Sequence, residues 1–296
     1  MQTNMRNLLI VLSLGTSFLS LDAYAVFDSK IFTYEDVKGA KNLHVSLKGS
    51  TWYAKEVTKQ DIPFHQKLFS DSVVMAGFAD GQVREPEATK ARLEDMWIPR
   101  FEQGHLHGGL TVFDPETDEP MGHVVAGGGD GAGVSEIAYS FLKNYWGKKI
   151  GTGIVGAIVQ EWAPEVRRIG LGKDLDSKED TPVIDAFSCF GGQVLIRLDA
   201  TASPSNPGSW KILDKYDFEP AISNLSKKET VLDLEGIESF EEVEQKTLKL
   251  FDISSTDTPL KVGVRYRMID SDGKLRTFSK HAQYERIKYH FEREVQ

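Results

Sequence analysis

The sequence predicts a mixed α/β (α+β) fold, in which a mostly antiparallel sheet carries flanking helices. Three strand-like segments follow one another between residues 107 and 142, and a turn with two prolines and four acidic residues separates the first two, so we expect an antiparallel meander. A strongly apolar helical segment at 154–166 then leads to a buried strand-like segment at 193–202, as in a crossover connection. Alternating segments at 262–270 and 274–280 predict a closing hairpin.

The first half of the chain contributes one strand and two helices before the meander. Residues 51–58, TWYAKEVT, alternate and are rich in strand-forming side chains. Asp61 offers an N-cap to the helix that follows it, and 73–81 is typical of a loop. Helical spacing of apolar residues predicts a second helix over 85–102, with Pro99 as a point where it could end or kink.

The second half alternates regular segments with long polar connections. Residues 144–153 are rich in glycine and lysine and are predicted to form a loop, and 167–190 a charged connection. A helix is expected over 204–217. The acidic stretch 220–260 is expected to be loop-rich, with one helix at 240–251.

The amino terminus has the pattern of a secretory signal peptide over residues 1–25. Arg6 is followed by an uncharged, mostly apolar run of 14 residues at 8–21, and then by Ala23-Tyr24-Ala25, with small residues where a signal peptidase cleaves. The run is shorter than the ~20 residues that cross a bilayer as a helix. Cleavage would make the chain periplasmic or secreted, with no membrane span in the mature chain. An uncleaved anchor, or a chain that stays cytoplasmic, is the alternative.

Composition narrows the possible partners and sites. The 44 acidic residues outnumber the 35 basic ones, and the formal net charge of −9 disfavours nucleic acid as a partner. Cys189 is the one cysteine, so no internal disulfide and no cysteine-rich zinc site can form, and we expect it to be a bystander. After the signal peptide, we predict a lead-in at 26–50 and a single domain over 51–296, with insertions near 167–192 and 219–261.

The segment YWGKKIGTG at 145–153 is the most chemically informative part of the sequence. It lies between a strand and an apolar helix, where glycines let the backbone approach a ligand and the first helical N–H groups lack intrahelical acceptors. A diphosphate can take those donors, with Lys148, Lys149 and Thr152 adding charge and a hydroxyl. The segment matches neither GxxxxGK[ST] nor GxGxxG. A plain strand-to-helix turn is the alternative interpretation.

Three segments in this order resemble the GNAT superfamily of acyl-CoA-dependent N-acetyltransferases. They are SEIAY at 135–139, YWGKKIGT at 145–152 and NPGSWKILDKYDF at 206–218, and they are most similar to the ribosomal-protein-alanine acetyltransferase group. The resemblance covers roughly 51–218 and implies a GNAT-like sheet with a splayed strand pair. It also implies that 51–296 is a single acetyltransferase-like domain.

The resemblance implies direct transfer of an acetyl group from acetyl-CoA to a primary amine. The acceptor would be a protein or a small molecule. Glu136 is then the candidate base and Ser209 the candidate acid, against a surface salt bridge and a plain helix-turn hydroxyl as alternatives. The cofactor-binding residues implied are Ala138, Ser140, Trp146, Gly147, Lys148, Lys149, Ile150, Gly151, Thr152, Gly153 and Asn206.

The sequence also departs from the family's pattern at three positions. Lys149 replaces the central loop glycine, Asp217 replaces the glycine before the final phenylalanine, and Leu213 replaces the tyrosine acid of many members. Lys149, Leu213 and the signal peptide support the alternative to the leading acetyl-transfer hypothesis, a non-catalytic GNAT-fold binding or interaction module in a secreted protein. A phosphate- or nucleotide-binding regulator is the third hypothesis.

Two further patterns carry weaker hypotheses. His105, His107 and His123 could meet at a zinc ion, but no carboxylate or cysteine has helpful spacing and the family needs no metal, so no metal is predicted. The acidic residues between 235 and 244 hint at a cationic acceptor, although a solvated helix face is the preferred interpretation.

Overall fold

The computed structural model describes residues 30–35, 41–129, 131–172, 191–221, 230–233, 264–269, 274–280 and 287–296. Among these residues, no helix is both long enough and apolar enough to cross a bilayer. The described strands are β1 Lys30–Glu35, β2 Lys41–Lys48, β3 Tyr53–Glu56, β4 Gly108–Phe113, β5 Pro120–Gly128, β6 Val134–Phe141, β7 Arg197–Ala202, β8 Glu219–Pro220, β9 Thr230–Asp233, β10 Val264–Ile269, β11 Leu275–Lys280 and β12 Ile287–Glu294.

The helices follow the same order along the chain. Two of them continue through a turn of π-helix, at Leu93–Trp97 and Ile158–Trp162. The described α-helices are α1 Ile62–Ser70, α2 Ser72–Ala76, α3 Pro86–Arg92, α4 Ile98–Glu102, α5 Ile150–Ala157, α6 Ala163–Leu171 and α7 Pro207–Lys215.

The strands form one mixed sheet in the order β1-β2-β3-β4-β5-β6-β7-β12-β11-β10-β9, with β8 beside β12. Neighbours are antiparallel except for the pairs β6–β7 and β9–β10, which are parallel. The apolar core packs helices against both faces of the sheet, with Trp97 and Leu68 among its buried side chains on one side and Ile154 and Trp162 among those on the other. The predicted fold class is therefore confirmed.

The amino-terminal boundary of the predicted domain needs correction. Residues 26–50 were expected to be a lead-in, but β1 and β2 lie within that range and pair with each other. The second of them also pairs with β3, so it joins the common sheet. The prediction failed because this stretch lacks the strict alternation that marks a strand with one buried face.

The helices between β3 and β4 also differ from expectation. Residues 72–76 are helical rather than a loop, because the Asp71 carboxylate caps them by accepting from Val73 N–H at 2.8 Å and Val74 N–H at 3.3 Å. Asp61 does not cap α1: its side chain accepts instead from Thr58 N–H at 2.7 Å. The helix predicted over 85–102 forms, and the π turn lets it continue past Pro99.

The third predicted helix begins earlier than its apolar pattern suggests. Its first residue is Ile150 rather than Ile154, and it reaches Leu171 through the second π turn. Strand β12 was not predicted at all. The predicted connection at 173–190, with Cys189, and the predicted helix at 240–251 lie outside the described residues.

Candidate active site

The two central parallel strands part from each other at their carboxyl ends. The β6–β7 ladder runs from Val134 opposite Arg197 to Ile137 opposite Ala200 and stops there. Beyond this point β6 continues along β5 to Phe141, whereas β7 continues along β12. A gap therefore opens in the middle of the sheet, at the place where the sequence predicted a splayed pair.

One backbone donor and one acceptor of β6 face this gap. The unbroken β5–β6 register is hydrogen-bonded at both ends, from Gly129 N–H to Val134 O and from Leu142 N–H to Met121 O. Successive residues of a strand direct their N–H and C=O groups to opposite sides. Ala138 and Ser140 therefore direct their backbone groups to β5, and Tyr139 directs its N–H and C=O into the gap. The resemblance named Ala138 and Ser140 as cofactor-binding residues of this strand, but the backbone groups that face the gap are those of Tyr139 between them.

The start of α5 lies beside the gap. Its N-cap is Lys149, in a left-handed conformation with φ 61° and ψ 10°, and no side chain of the described residues caps the helix. The first helical amides have no intrahelical acceptor, and the helix dipole adds positive potential there. Gly153 N–H is already used, because it donates to Lys149 O at 3.0 Å. The amides of Ile150, Gly151 and Thr152 precede that bond.

The three glycines of this segment have different roles. Gly147 has φ +75°, and an added Cβ would meet no atom of the described residues within 4 Å. At Gly151 a Cβ would come within 3.3 Å of the Tyr139 ring, and at Gly153 within 2.5 Å of Trp52 Nε1. Gly147 is therefore open to a ligand, whereas the other two glycines allow close packing.

The gap and the start of α5 belong to one cleft of about 1470 Å³. That volume exceeds the roughly 300–1,000 Å³ of most small-molecule sites, so it leaves room for two substrates. All but two of the predicted site residues line it. The two exceptions are Lys148, whose ammonium lies over the Tyr145 ring at 4.9 Å, and Gly153. Those that line it are Glu136, Ala138, Ser140, Trp146, Gly147, Lys149, Ile150, Gly151, Thr152, Asn206 and Ser209.

The two predicted catalytic residues, Glu136 and Ser209, lie on opposite faces of the sheet at β6. Side chains alternate along a strand, so Glu136 and Ser140 share one face and Tyr139 lies on the other. Glu136 is exposed and lies one residue before the ladder ends. On the other face, Tyr139 Oη lies 3.2 Å from Ser209 Oγ and 3.4 Å from Ser209 O.

Tyr139 lines the cleft, and its contact with Ser209 was not predicted from the sequence. Burial raises the pKa of Tyr139 to about 12, although its hydrogen bond with Ser209 acts in the opposite direction. The phenol therefore keeps its proton at neutral pH. The sequence offers Tyr139 as a residue that could line a substrate slot, with core as the more common place for an aromatic residue on a strand, and in the structure it lines the cleft.

The remaining predicted residues of α7 flank this hydroxyl pair. Asn206 is the N-cap of α7, and its side-chain amide donates to Gly77 O at 3.4 Å across the cleft. Leu213 is buried with 1% of its surface exposed, so its position supplies no polar group. On this face of the sheet, Ser209 and Tyr139 therefore supply the hydroxyl groups that Leu213 cannot.

The three histidines considered for zinc do not converge. His105 and His107 have ring centroids 5.2 Å apart, but the His123 ring stacks on Trp97 at 4.5 Å. His123 also packs against His65. Within the described ranges, no three histidine, cysteine or acidic side chains form a metal-binding group.

Comparison with known protein families gives a match over the region that forms the cleft. The family described as Acetyltransferase (GNAT) domain matches residues 55–219, which is more than half of the 296 residues. No curated protein matches the sequence.

Several solved structures are similar to this chain at low identity. A GNAT-family acetyltransferase from Bacillus anthracis has 14% identity and a TM-score of 0.48, with 84% of this chain and 97% of that chain covered. Ribosomal-protein-S5-alanine acetyltransferase from Vibrio fischeri has 18% identity and a TM-score of 0.40, covering 60% and 84%. Spermidine N-acetyltransferase from Vibrio cholerae, in complex with CoA and spermine, has 13% identity and a TM-score of 0.37, covering 57% and 81%. With TM-scores below 0.5, these likenesses add nothing to the family match.

Proposed function

Because the chain belongs to the GNAT acetyltransferase family, we propose that its cleft transfers an acetyl group from acetyl-CoA to a primary amine by direct attack. The observation that carries this proposal is the parting of β6 and β7 beside the uncapped start of α5. One site there can hold an extended thioester and its diphosphate together.

The start of α5 is the proposed diphosphate site. The amides of Ile150, Gly151 and Thr152 are the candidate donors, and Gly147 leaves open space beside them. The exposed Lys149 ammonium adds charge at the same place. Gly153 and Lys148 are not included, because one is packed against Trp52 and the other lies outside the cleft.

The gap itself is the proposed thioester site. There Tyr139 N–H can donate to the acetyl carbonyl oxygen or to the pantetheine arm, as a backbone donor that needs no reorganisation. Ala138, Ser140 and Asn206 line the same cleft. Trp146 is fixed at the edge of the cleft by its indole N–H, which donates to Phe141 O at 2.8 Å.

Glu136 and Ser209 supply the two proton transfers of the reaction. The amine nitrogen attacks the carbonyl carbon, so a C–N bond forms and the C–S bond breaks. Glu136 takes the proton that the nitrogen loses, directly or through one water. Ser209 Oγ gives a proton to the leaving sulfur and regains one from Tyr139 Oη, which is replenished from solvent. The products are an amide and the CoA thiol.

The hydroxyl pair gives the sharpest test of this scheme. Ser209→Ala and Tyr139→Phe should each lower turnover by about 10²-fold, because a general acid is typically worth that much. The Kd of acetyl-CoA should change little, since the loss appears in the transition state. The double variant should be no worse than either single one, because both hydroxyls serve one proton path. The measurement is CoA thiol release with an amine acceptor.

Two results would contradict the acid role. Wild-type turnover in Ser209→Ala would remove it outright. Fully additive losses in the double variant would mean that the two hydroxyls act separately. Thr152→Ala serves as a matched control, because it also deletes one cleft hydroxyl but lies at the proposed diphosphate site. It should therefore weaken acetyl-CoA binding more than turnover.

The compartment is a separate part of the proposal. Residues 1–25 lie outside the described structure, and their pattern of Arg6, apolar run and Ala-Tyr-Ala supports export with cleavage after Ala25. An exported chain would meet acetyl-CoA after entry into another cell. Intact-mass analysis of protein from its native host decides this: a chain that begins at Val26 supports export, and a full-length chain in the cytosolic fraction contradicts it.

A further inference from the structure

Three arginines line the part of the cleft that lies across from residues 145–153, the segment of the proposed diphosphate site, here called the phosphate loop. Arg92 and Arg100 lie on the π-interrupted helix formed by α3 and α4, and Arg84 precedes it. Met96 also lines the cleft. The spacing of four residues from Arg92 to Met96 to Arg100 places all three on one face of a helix.

A chain of contacts places these arginines on the Glu136 face of the sheet. Ser140 shares that face with Glu136 and lies opposite His123 in the β5–β6 register. The His123 ring stacks on Trp97 at 4.5 Å, and the Arg92 guanidinium lies over the Trp97 ring at 5.0 Å. The start of α5 packs instead against Tyr139, on the opposite face. The arginines therefore lie on the side from which the amine reaches Glu136.

Among the residues that the structure describes, two of the three positive charges have no acidic partner. Arg84 Nη2 is 2.7 Å from Asp80 Oδ2, which neutralises it. Arg92 and Arg100 form no ion pair with any acid of the described residues. Burial, with the neighbouring charges of Arg84 and Arg100, lowers the pKa of Arg92. An anion between the guanidiniums would relieve that repulsion.

We propose that Arg92 and Arg100 select an acceptor amine that also carries a carboxylate or phosphate group. This inference rests on the proposed acetyl transfer. A guanidinium forms paired, charge-assisted hydrogen bonds with either anion, and the stacking of Arg92 on Trp97 holds its plane in place. The anionic group proposed for the acceptor is opposite in charge to the cationic acceptor that the acidic run at 235–244 suggested. That run lies outside the described residues.

The test compares acceptors that share an amine and differ in charge. The carboxylate series is Ala-Glu, Ala-Gln and Ala-Lys, each with an amidated C-terminus, and the phosphate pair is phosphoethanolamine and ethanolamine. For wild type, kcat/KM should favour the anionic member by about 10-fold or more in at least one set, because a charged hydrogen bond is worth that much. The set that shows the preference identifies the anion.

Variants assign the preference to these side chains. Arg92→Gln and Arg100→Gln should each reduce it by about 5-fold or more, and Arg92→Lys should retain part of it. Lys90→Gln is the matched control, because it removes the same charge from α3 but lies outside the cleft. It should leave the preference unchanged. The Kd of acetyl-CoA should stay within about 2-fold in all four variants.

Each contrary outcome has its own meaning. Equal use of anionic, neutral and cationic acceptors by an active wild type overturns this inference and leaves the acetyl transfer standing. A preference that survives both glutamine substitutions also overturns it. A raised Kd for acetyl-CoA in Arg92→Gln would mean that the arginines hold a phosphate of the co-substrate instead. Failure of wild type to bind acetyl-CoA or to acetylate any amine would overturn the proposed function, and this inference with it.

Discussion

Lys149 and Asp217 keep a glycine-like backbone although neither is glycine. Their φ angles are 61° and 54°, both in the left-handed region. They are the two positions at which the family resemblance led us to expect glycine. Asp217 tolerates this conformation well, and Arg293 Nη1 donates to its carbonyl at 3.2 Å. A lysine lacks that tolerance, so the backbone at Lys149 is strained. Strain of this kind clusters at functional sites, which supports a binding role for the Lys149 ammonium.

Two substitutions at Lys149 separate its strain from its charge. Lys149→Gly and Lys149→Ala both remove the ammonium, but only glycine relieves the left-handed conformation. The glycine variant should therefore have a free energy of unfolding about 1 kcal/mol higher than the alanine variant. Both should bind acetyl-CoA several-fold more weakly than wild type, more so at low salt. Chemical denaturation and calorimetry measure the two effects. Equal stabilities of the two variants would contradict the left-handed conformation.

At the residue scale, the sequence predicted residues that line one cleft in the structure, but it did not predict what each of them contacts. Family-like segments placed Glu136, Ser209 and most of the phosphate loop in one cleft. They could not show that Gly151 and Gly153 contact Tyr139 and Trp52, because those partners come from distant strands and loops. For the same reason, a Gly151→Val variant would disturb packing as well as binding, and it is a poor probe of the phosphate site.

At the element scale, the carboxyl-terminal hairpin holds the helix that carries Ser209. The buried Arg276 guanidinium donates to both Asp214 oxygens of α7, at 2.7 and 2.9 Å. It also lies over the Trp210 and Tyr289 rings, at 4.9 and 5.5 Å. Burial alone would raise the pKa of Asp214, but the hydrogen bonds from Arg276 and Lys274 lower it. Strand β11 therefore fixes α7 through this ion pair.

Removing one partner of this pair should cost more than removing both. Asp214→Asn removes the carboxylate that accepts two hydrogen bonds from the buried Arg276 guanidinium, so we expect the free energy of unfolding to fall by about 3 kcal/mol. Adding Arg276→Met should recover part of that loss. Urea denaturation of wild type, Asp214→Asn and the double variant measures these free energies of unfolding. The control is Glu165→Gln, which breaks an exposed pair with Arg168 and should lose under about 1 kcal/mol. A double variant less stable than Asp214→Asn would contradict this account.

Elements with strong local signals were predicted, and those that depend on pairing were not. The meander, the crossover helix and the closing hairpin were recognised because each carries alternation, helical spacing or turn residues. Strands β1 and β12 owe their form to neighbours, through β2 on one side and through β7 and β11 on the other. Asp71 and the π turn at Leu93–Trp97 set two helix boundaries that propensity alone does not mark.

At the scale of the whole molecule, the proposed reaction requires the two substrates to meet across the sheet, where the strands part. The phosphate loop and the Ser209–Tyr139 pair lie on one face, and Glu136 with the arginines lies on the other. The gap between β6 and β7 connects them. The family-like segments predicted that gap, but the charge of the opposite wall depends on how α3 and α4 pack over Trp97. That packing is set by tertiary contacts rather than by local pattern.

The central claim is that the start of α5 binds the diphosphate of acetyl-CoA, and calorimetric titration of Gly147→Asp against Gly147→Asn tests it most directly. Both side chains tolerate the left-handed backbone and enter open space, and they differ in one negative charge. Wild type should bind one acetyl-CoA per chain. The asparagine variant should stay within a few-fold of it, and the aspartate variant should bind about 10-fold more weakly or worse, because like charges repel. Equal affinities of the two variants, or no binding by wild type, would contradict the claim.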